Sequence, residues 1–156
     1  MWKTEKDFSK YVMNKLKAEC ADCCRIETPA TGVGIPDLWV QCFGDDFFIE
    51  LKNIHHDLPA KFDMKDVREI IPWRPGQQAW AYRYKMYHTV AGKSKCSWTL
   101  VGMNDGMIAI RMDKLYENDC ISYYDDGIMV FNKGELKSIK LSALLFKESY
   151  IKITGQ

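Results

Sequence analysis

The chain has 156 residues, 47% of them hydrophobic and 28% charged, with a formal net charge of +1. These proportions fit an ordinary globular domain and exclude disordered, collagen-like and low-complexity classes; at this size a core forms without metal or disulfide staples. No apolar run is long enough to span a membrane, and the start Met1-Trp2-Lys3-Thr4-Glu5-Lys6-Asp7 lacks the apolar segment of a signal peptide. The expectation is therefore one domain over 1–156, intracellular (cytoplasmic or nucleoid-associated), with no membrane partner.

A first helix is predicted from about Thr4 to Ala18, capped by Thr4 with Asp7 three residues on, and carrying an apolar stripe of Phe8, Tyr11/Val12 and Met13/Leu16. Glu5 falls at the edge of that stripe, where a carboxylate is either an exposed first-turn acid or one aimed at a partner. A short strand over 24–28 ends at Thr28-Pro29, followed by the loop Gly32-Val33-Gly34-Ile35-Pro36, whose glycines lack the third member and following helix of a dinucleotide site. Asp37–Phe43 and Asp46–Lys52, two extended runs around Gly44-Asp45, read as a β-hairpin. A polar segment with His55 and His56 has no clear assignment, and a short helix is possible over 64–71. Pro75 opens a longer helix running from about Gly76 to Val90, with Gln77, Trp80, Tyr84 and Tyr87 on one side. Strands over 97–103 and 107–112 flank the turn Asn104-Asp105-Gly106. A short helix after Asp113, a strand near 127–132, a helix near 138–147 and an alternating Tyr150–Ile153 complete the chain.

Charge is uneven: residues 51–95 carry nine basic and four acidic side chains, whereas 1–50 and 96–156 each carry more acids than bases. A basic middle beside an acidic start can attract phosphate and still hold a cation. Arg68, Arg74, Arg83, Lys93 and Lys95 are the candidates for nucleic-acid backbone contacts, each weighed against ordinary surface charge. Trp73 and Tyr82 could stack on splayed bases, although core packing is the commoner role. Cys20, Cys23 and Cys24 contain a CxxC without a second Cys/His pair, a weak basis for a zinc or redox site.

Alternate strand residues share a face, so Glu50 and Lys52 point one way and Ile49 and Leu51 the other. With a two-residue loop at Gly44-Asp45, Phe43 pairs with Asp46, Trp39 with Glu50 and Asp37 with Lys52, leaving Asp37 diagonal to Glu50. Two carboxylates at that separation suit one hard cation. A salt bridge from Lys52 to Asp37 or Glu50 explains one acid and leaves the other unpaired. A three-residue loop would turn Asp37 to the opposite face, so the inference depends on even loop length.

Gly34-Ile35-Pro36-Asp37 followed by Glu50-Leu51-Lys52 resembles the signature of the PD-(D/E)XK nucleases, the restriction-endonuclease-like superfamily. With Pro75-Gly76-Gln77-Gln78-Ala79-Trp80 added, it is similar to the VRR-NUC branch, whose core Holliday-junction resolvases share. The likeness covers roughly residues 4–103, and nothing in it accounts for 54–72 or for 104–156. It implies a mixed α/β fold in the order helix, strand, strand, strand, helix, strand, with a C-terminal αβ extension. It further implies a Mg²⁺- or Mn²⁺-dependent endonuclease cutting DNA at junctions or flaps, to leave a 5′-phosphate and 3′-hydroxyl. Asp37 and Glu50 would be metal ligands, Lys52 the catalytic lysine, Gln77 an accessory site residue, and Glu5 the first-helix acid and further metal ligand, with Asp7 and Glu19 nearby. A homodimer follows by analogy if symmetric junctions are the substrate. An inactive nucleic-acid-binding or assembly module on the same fold is the competing expectation.

Overall fold

The structure, a computed structural model, describes residues 1–19, 21–26, 34–60, 62–63, 68–116, 120–121 and 127–152. Cys20, residues 27–33, 64–67 of the possible helix and Ile153 lie outside the described residues.

Helix α1 (Glu5–Ala18) begins where the sequence places it. Thr4 Oγ1 accepts from the Asp7 N–H at 3.1 Å and Asp7 Oδ2 accepts from the Thr4 N–H at 3.1 Å, satisfying two orphan donors of the first turn. Strands β1 (Asp22–Arg25), β2 (Leu38–Cys42) and β3 (Asp45–Asn53) form an antiparallel meander. Helix α2 (Pro75–Tyr87) carries the chain across to β7 (Trp98–Gly102), which runs parallel to β3. The order helix, strand, strand, strand, helix, strand is thus present, with β4 (Phe62–Asp63), β5 (Thr89–Val90) and β6 (Lys93–Lys95) inserted around α2. From β7 the sheet continues through β8 (Gly106–Arg111) to β10 (Ile128–Asn132), giving six strands in the order β1-β2-β3-β7-β8-β10. β9 (Cys120–Ile121) pairs with β4, and β11 (Tyr150–Lys152) pairs with β6. The fold class is mixed α/β, as expected, and no helix among the described residues is long and apolar enough to cross a membrane.

Both faces of the sheet are covered. On one, Phe8, Val12 and Leu16 of α1 meet Leu38, Val40, Phe47, Ile49 and Leu51, the apolar half of the hairpin. Leu136 of α3 (Glu135–Ser138) and Leu141 and Leu145 of α4 (Leu141–Lys147) join this cluster, so the segment beyond residue 104 contributes to the same core. On the other face, Ala81 of α2, Ile71 and Leu115 of the 3₁₀ turn Met112–Tyr116 pack on Val101, Ile108 and Ile110.

Several boundaries differ from the sequence reading. The helix expected to reach Val90 stops at Tyr87, because Ala91 (φ 46°) and Gly92 (φ 76°) form a tight turn that folds β5 onto β6. The single helix expected over 138–147 is two, broken by extended backbone at Ile139 and Lys140. Glu19 supplies the restart: its carboxylate accepts from the Leu141 and Ser142 N–H groups at 2.9 and 2.6 Å. The strand expected at 24–28 is β1, which begins two residues earlier at Asp22.

Candidate active site

The hairpin sets the geometry. Its two loop residues are Phe43 and Gly44, with φ of 54° and 75°, not Gly44 and Asp45. Both central positions of such a turn need positive φ, and Phe43, 64% exposed, occupies the first. Asp45 instead remains in β3 opposite Cys42, where its carboxylate is bound by Lys95 and by the Tyr150 hydroxyl. Loop length stays even, so every side chain keeps its expected face, but the pairing slides. Leu38 is opposite Ile49, which sets Asp37 against Glu50 rather than Lys52 and brings the two carboxylates closer than the expected diagonal.

Asp37 lies just before β2 and reaches across to β3, where its Oδ2 accepts from the Leu51 N–H at 2.8 Å. Its own carbonyl accepts from the Ile26 N–H at 2.8 Å, so its backbone is held on the β1 side. Glu50 is 3% exposed and Lys52 7% exposed. Lys52 Nζ lies 2.7 Å from Glu50 Oε1, and the Gln77 amide donates to the same oxygen at 2.5 Å. Gln77 is fixed in turn because its Oε1 accepts from the Arg74 N–H at 2.9 Å, at the head of α2. Glu50 Oε2 is buried and has no hydrogen-bond partner. Burial pushes the Glu50 carboxyl up to about 7, with the Asp37 charge adding to the shift, Lys52 opposing it and Glu5 adding further.

Helix α2 and the Asp37 loop are joined by contact between glycines. A Cβ on Gly34 (φ 90°) would sit 1.9 Å from the Gly76 carbonyl oxygen and 2.8 Å from the Gln77 nitrogen. Only a residue without a side chain at position 34 leaves room for the backbone at the head of α2, which carries Gln77. Gly34→Ala should cost about 2–4 kcal/mol of stability in chemical denaturation, through positive-φ strain and displacement of α2. A variant as stable as the wild type would refute that contact.

Of the acids on α1, Asp7 is used in the cap and Glu19 at α4, which leaves Glu5, exposed in the first turn and felt electrostatically at Glu50. Among the described residues no three His, Cys, Asp or Glu side chains cluster at metal-ligating distance. The register and the charge of Asp37 felt at Glu50 bring these two acids together, and Glu5 does not complete a cluster of three with them. The pair still fits a divalent cation: both are hard oxygen donors, and the partnerless Oε2 is the buried polar atom that a cation would satisfy.

The predicted basic contacts divide. Arg74, Arg83 and Lys93 are exposed and Arg68 is half-buried. Lys95 does not fit the role: it is 5% exposed, with Nζ 2.7 Å from both Asp45 and Asp46. Burial alone would lower its pKa, but the two carboxylates hold it well above the usual value. Lys95→Met should lower stability by about 1–3 kcal/mol in denaturant melts, since two acids lose their partner in a part-exposed setting. Trp73 is likewise committed, its indole donating to Thr99 Oγ1 at 3.0 Å, whereas Tyr82 is 50% exposed. His55 and His56 are exposed in a loop tied to the Asn104–Asp105 turn through the His56 carbonyl. Cys23 is buried with its thiol pushed up by burial, while adjacent Cys24 is exposed on the opposite face of β1. The two described thiols of the CxxC segment therefore do not converge on one ligand.

Compared by sequence, the chain matches no known family and no curated protein. Among solved structures it is similar to Hjc, a Holliday junction resolvase of the archaeal hyperthermophile Archaeoglobus fulgidus, with a TM-score of 0.47 and 9% identity over 89% of this chain and 98% of that chain.

Proposed function

We propose that this chain is a Mg²⁺- or Mn²⁺-dependent endonuclease that hydrolyses phosphodiester bonds in DNA, with branched or flapped DNA as its substrate. The observation that carries the reading is Glu50. One of its oxygens is held by both Lys52 and Gln77, the other is buried without a partner, and a second carboxylate, Asp37, faces it. For folding alone this arrangement is costly, because like charges share a dry site.

Asp37 and Glu50 would hold the cation, with Glu5 a candidate third acid; once bound, the ion neutralises phosphate charge and makes water acidic enough to supply hydroxide near neutral pH. The chain's own groups do the rest. Gln77 is a positioning residue: bonded to the backbone at Arg74, it holds Oε1 of the Glu50 carboxylate and leaves Oε2 without a partner. Lys52, buried and fixed by its ion pair, offers its ammonium to the attacking water or to the charge that grows on the phosphate. A flexible ammonium suits this role better than a planar guanidinium, which would need a wider slot. Arg74, Arg83 and Lys93 supply backbone contacts that give affinity without reading sequence. A homodimer is part of the proposal only if the substrate is a symmetric junction.

The test is incubation with duplex, single-stranded, flap and four-way-junction DNA in Mg²⁺, Mn²⁺ or EDTA. Cleavage is expected in either metal and none in EDTA, with products carrying 5′-phosphate. Retention of DNA without cleavage in any metal would favour the inactive binding module.

A further inference from the structure

A helix lying on a sheet ordinarily turns charged and polar residues to water. The outer face of α2 does not: Tyr82 is 50%, Met86 56% and Tyr87 80% exposed, three of the five large apolar side chains that stand in water among the described residues. With Ala79 and Arg83, also exposed, they recur at the three- and four-residue spacing of one helix face, opposite the side on which Gln77, Ala81 and Tyr84 are buried. Folding leaves much of this apolar area in water, and contiguous area of that kind marks a binding surface.

The charge around it is of one sign. Residues 70–104 carry Arg74, Arg83, Lys85, Lys93 and Lys95 and not one Asp or Glu. Lys95 is turned inward to Asp45 and Asp46, whereas Arg83 and Lys93 are exposed and Lys85 is half-buried. None of these last three enters an ion pair among the described residues. The β5–β6 hairpin is fastened to the last turn of the helix, because Ser94 Oγ donates to the Lys85 carbonyl and the Lys95 N–H donates to the His88 carbonyl at 2.8 Å, so Lys93 stands next to that turn. Rings and cations without acids suit a polyanion that has flat apolar faces of its own, an unpaired nucleic-acid strand. A second copy of this chain suits them less, since packing α2 on α2 would set Arg83 and its neighbouring lysines against their own kind with no acid on the helix to answer them.

We infer that the outer face of α2, extended by Lys93, binds an unpaired strand of nucleic acid, with Tyr87 and Tyr82 stacking on its bases and Arg83 and Lys93 meeting its phosphates. The inference rests on the nuclease reading for its substrate and adds the surface that takes the unpaired arm. The helix starts at the site, where Gln77 in its first turn donates to Glu50. Tyr82 and Tyr87 follow five and ten residues later, about 7.5 and 15 Å along the axis. A base in intact duplex keeps both faces in the stack and is closed to these rings, whereas an unpaired base presents a face whatever its identity.

The experiment measures fluorescence anisotropy of a labelled oligo-dT, which cannot pair with itself, beside a blunt duplex of mixed sequence, in EDTA so that cutting does not intervene. Tyr87→Ala is expected to weaken oligo-dT binding about fivefold to a hundredfold and duplex binding less than about threefold. Tyr82→Ala should do the same, and Tyr87→Phe, which keeps the ring, should bind as the wild type does. Arg83→Gln and Lys93→Gln should weaken both ligands and each lower the salt slope by about one. Thermal melts check that every variant folds. A wild type that does not bind oligo-dT, equal losses on duplex and single strand, or no loss in Tyr87→Ala would each overturn the inference. A dimer that Tyr87→Ala dissociates while oligo-dT binding stays unchanged would assign the face to a second copy instead. The two readings fail separately: oligo-dT binding that Tyr87→Ala weakens, in a protein that cuts nothing in any metal, removes the nuclease and keeps the surface, while metal-dependent cutting with Tyr87→Ala binding unchanged removes only the surface.

Discussion

Lys52→Ala and Asp37→Asn are each expected to lower metal-dependent DNA cleavage by at least about a hundredfold, the usual cost of deleting one pre-organised charge at a reacting centre. The two losses should differ in kind. Asp37→Asn keeps the shape and the bond to the Leu51 N–H, because an amide oxygen accepts as a carboxylate does, but halves the negative charge facing the cation. Its cleavage should recover partly at high Mn²⁺. Lys52→Ala removes the ammonium 2.7 Å from Glu50 and leaves the acids in place, so metal should still bind and extra Mn²⁺ should not restore the rate. Steady-state kinetics across a Mn²⁺ series separates the two, and full rescue of Lys52→Ala by metal would assign Lys52 to cation binding instead of chemistry.

The second large effect is on stability. Glu50 ionises in the folded chain at about 7, against 4.5 for an exposed glutamate. Its folded pKa is raised, so the protonated form contributes stability that is fully present below pH 4.5 and is lost as pH rises through 7. At about 1.4 kcal/mol per unit the shift, in which the opposing pull of Lys52 is already included, corresponds to about 3 kcal/mol. In EDTA, wild-type stability should therefore fall between pH 5 and 8 relative to Glu50→Gln. Mn²⁺ should raise the wild-type melting temperature more at pH 8 than at pH 6, because below 7 the ion competes with a proton for the carboxylate. A wild type and Glu50→Gln whose stabilities run parallel across this range would show that Glu50 does not titrate there.

The site was largely legible because it rests on strand parity. Asp37, Glu50 and Lys52 share a face whichever even loop joins the strands, so a slide in register left the constellation intact and only changed its partners. The slide itself was not legible. Phe-Gly at 43–44 and Ala-Gly at 91–92 lack the Asn or Asp that ordinarily marks a positive-φ turn, so the sequence places the first turn one residue late and misses the second. Lys95 looks like a surface base because its partners, Asp45 and Asp46, are about fifty residues away in sequence and belong to a different sheet. Gln77 could be placed from a helix start, but the reason for Gly34 could not, since its contact with Gly76 is backbone against backbone and leaves no side-chain pattern.

The most direct test is a calorimetric titration of Mn²⁺ into the metal-free protein at pH 8, beside Asp37→Asn and Glu50→Gln. One site in the wild type, weakened at least about tenfold by either substitution, is the result that two facing carboxylates predict. Equal affinity in all three proteins, or no binding in the wild type, would contradict the metal site and with it the nuclease.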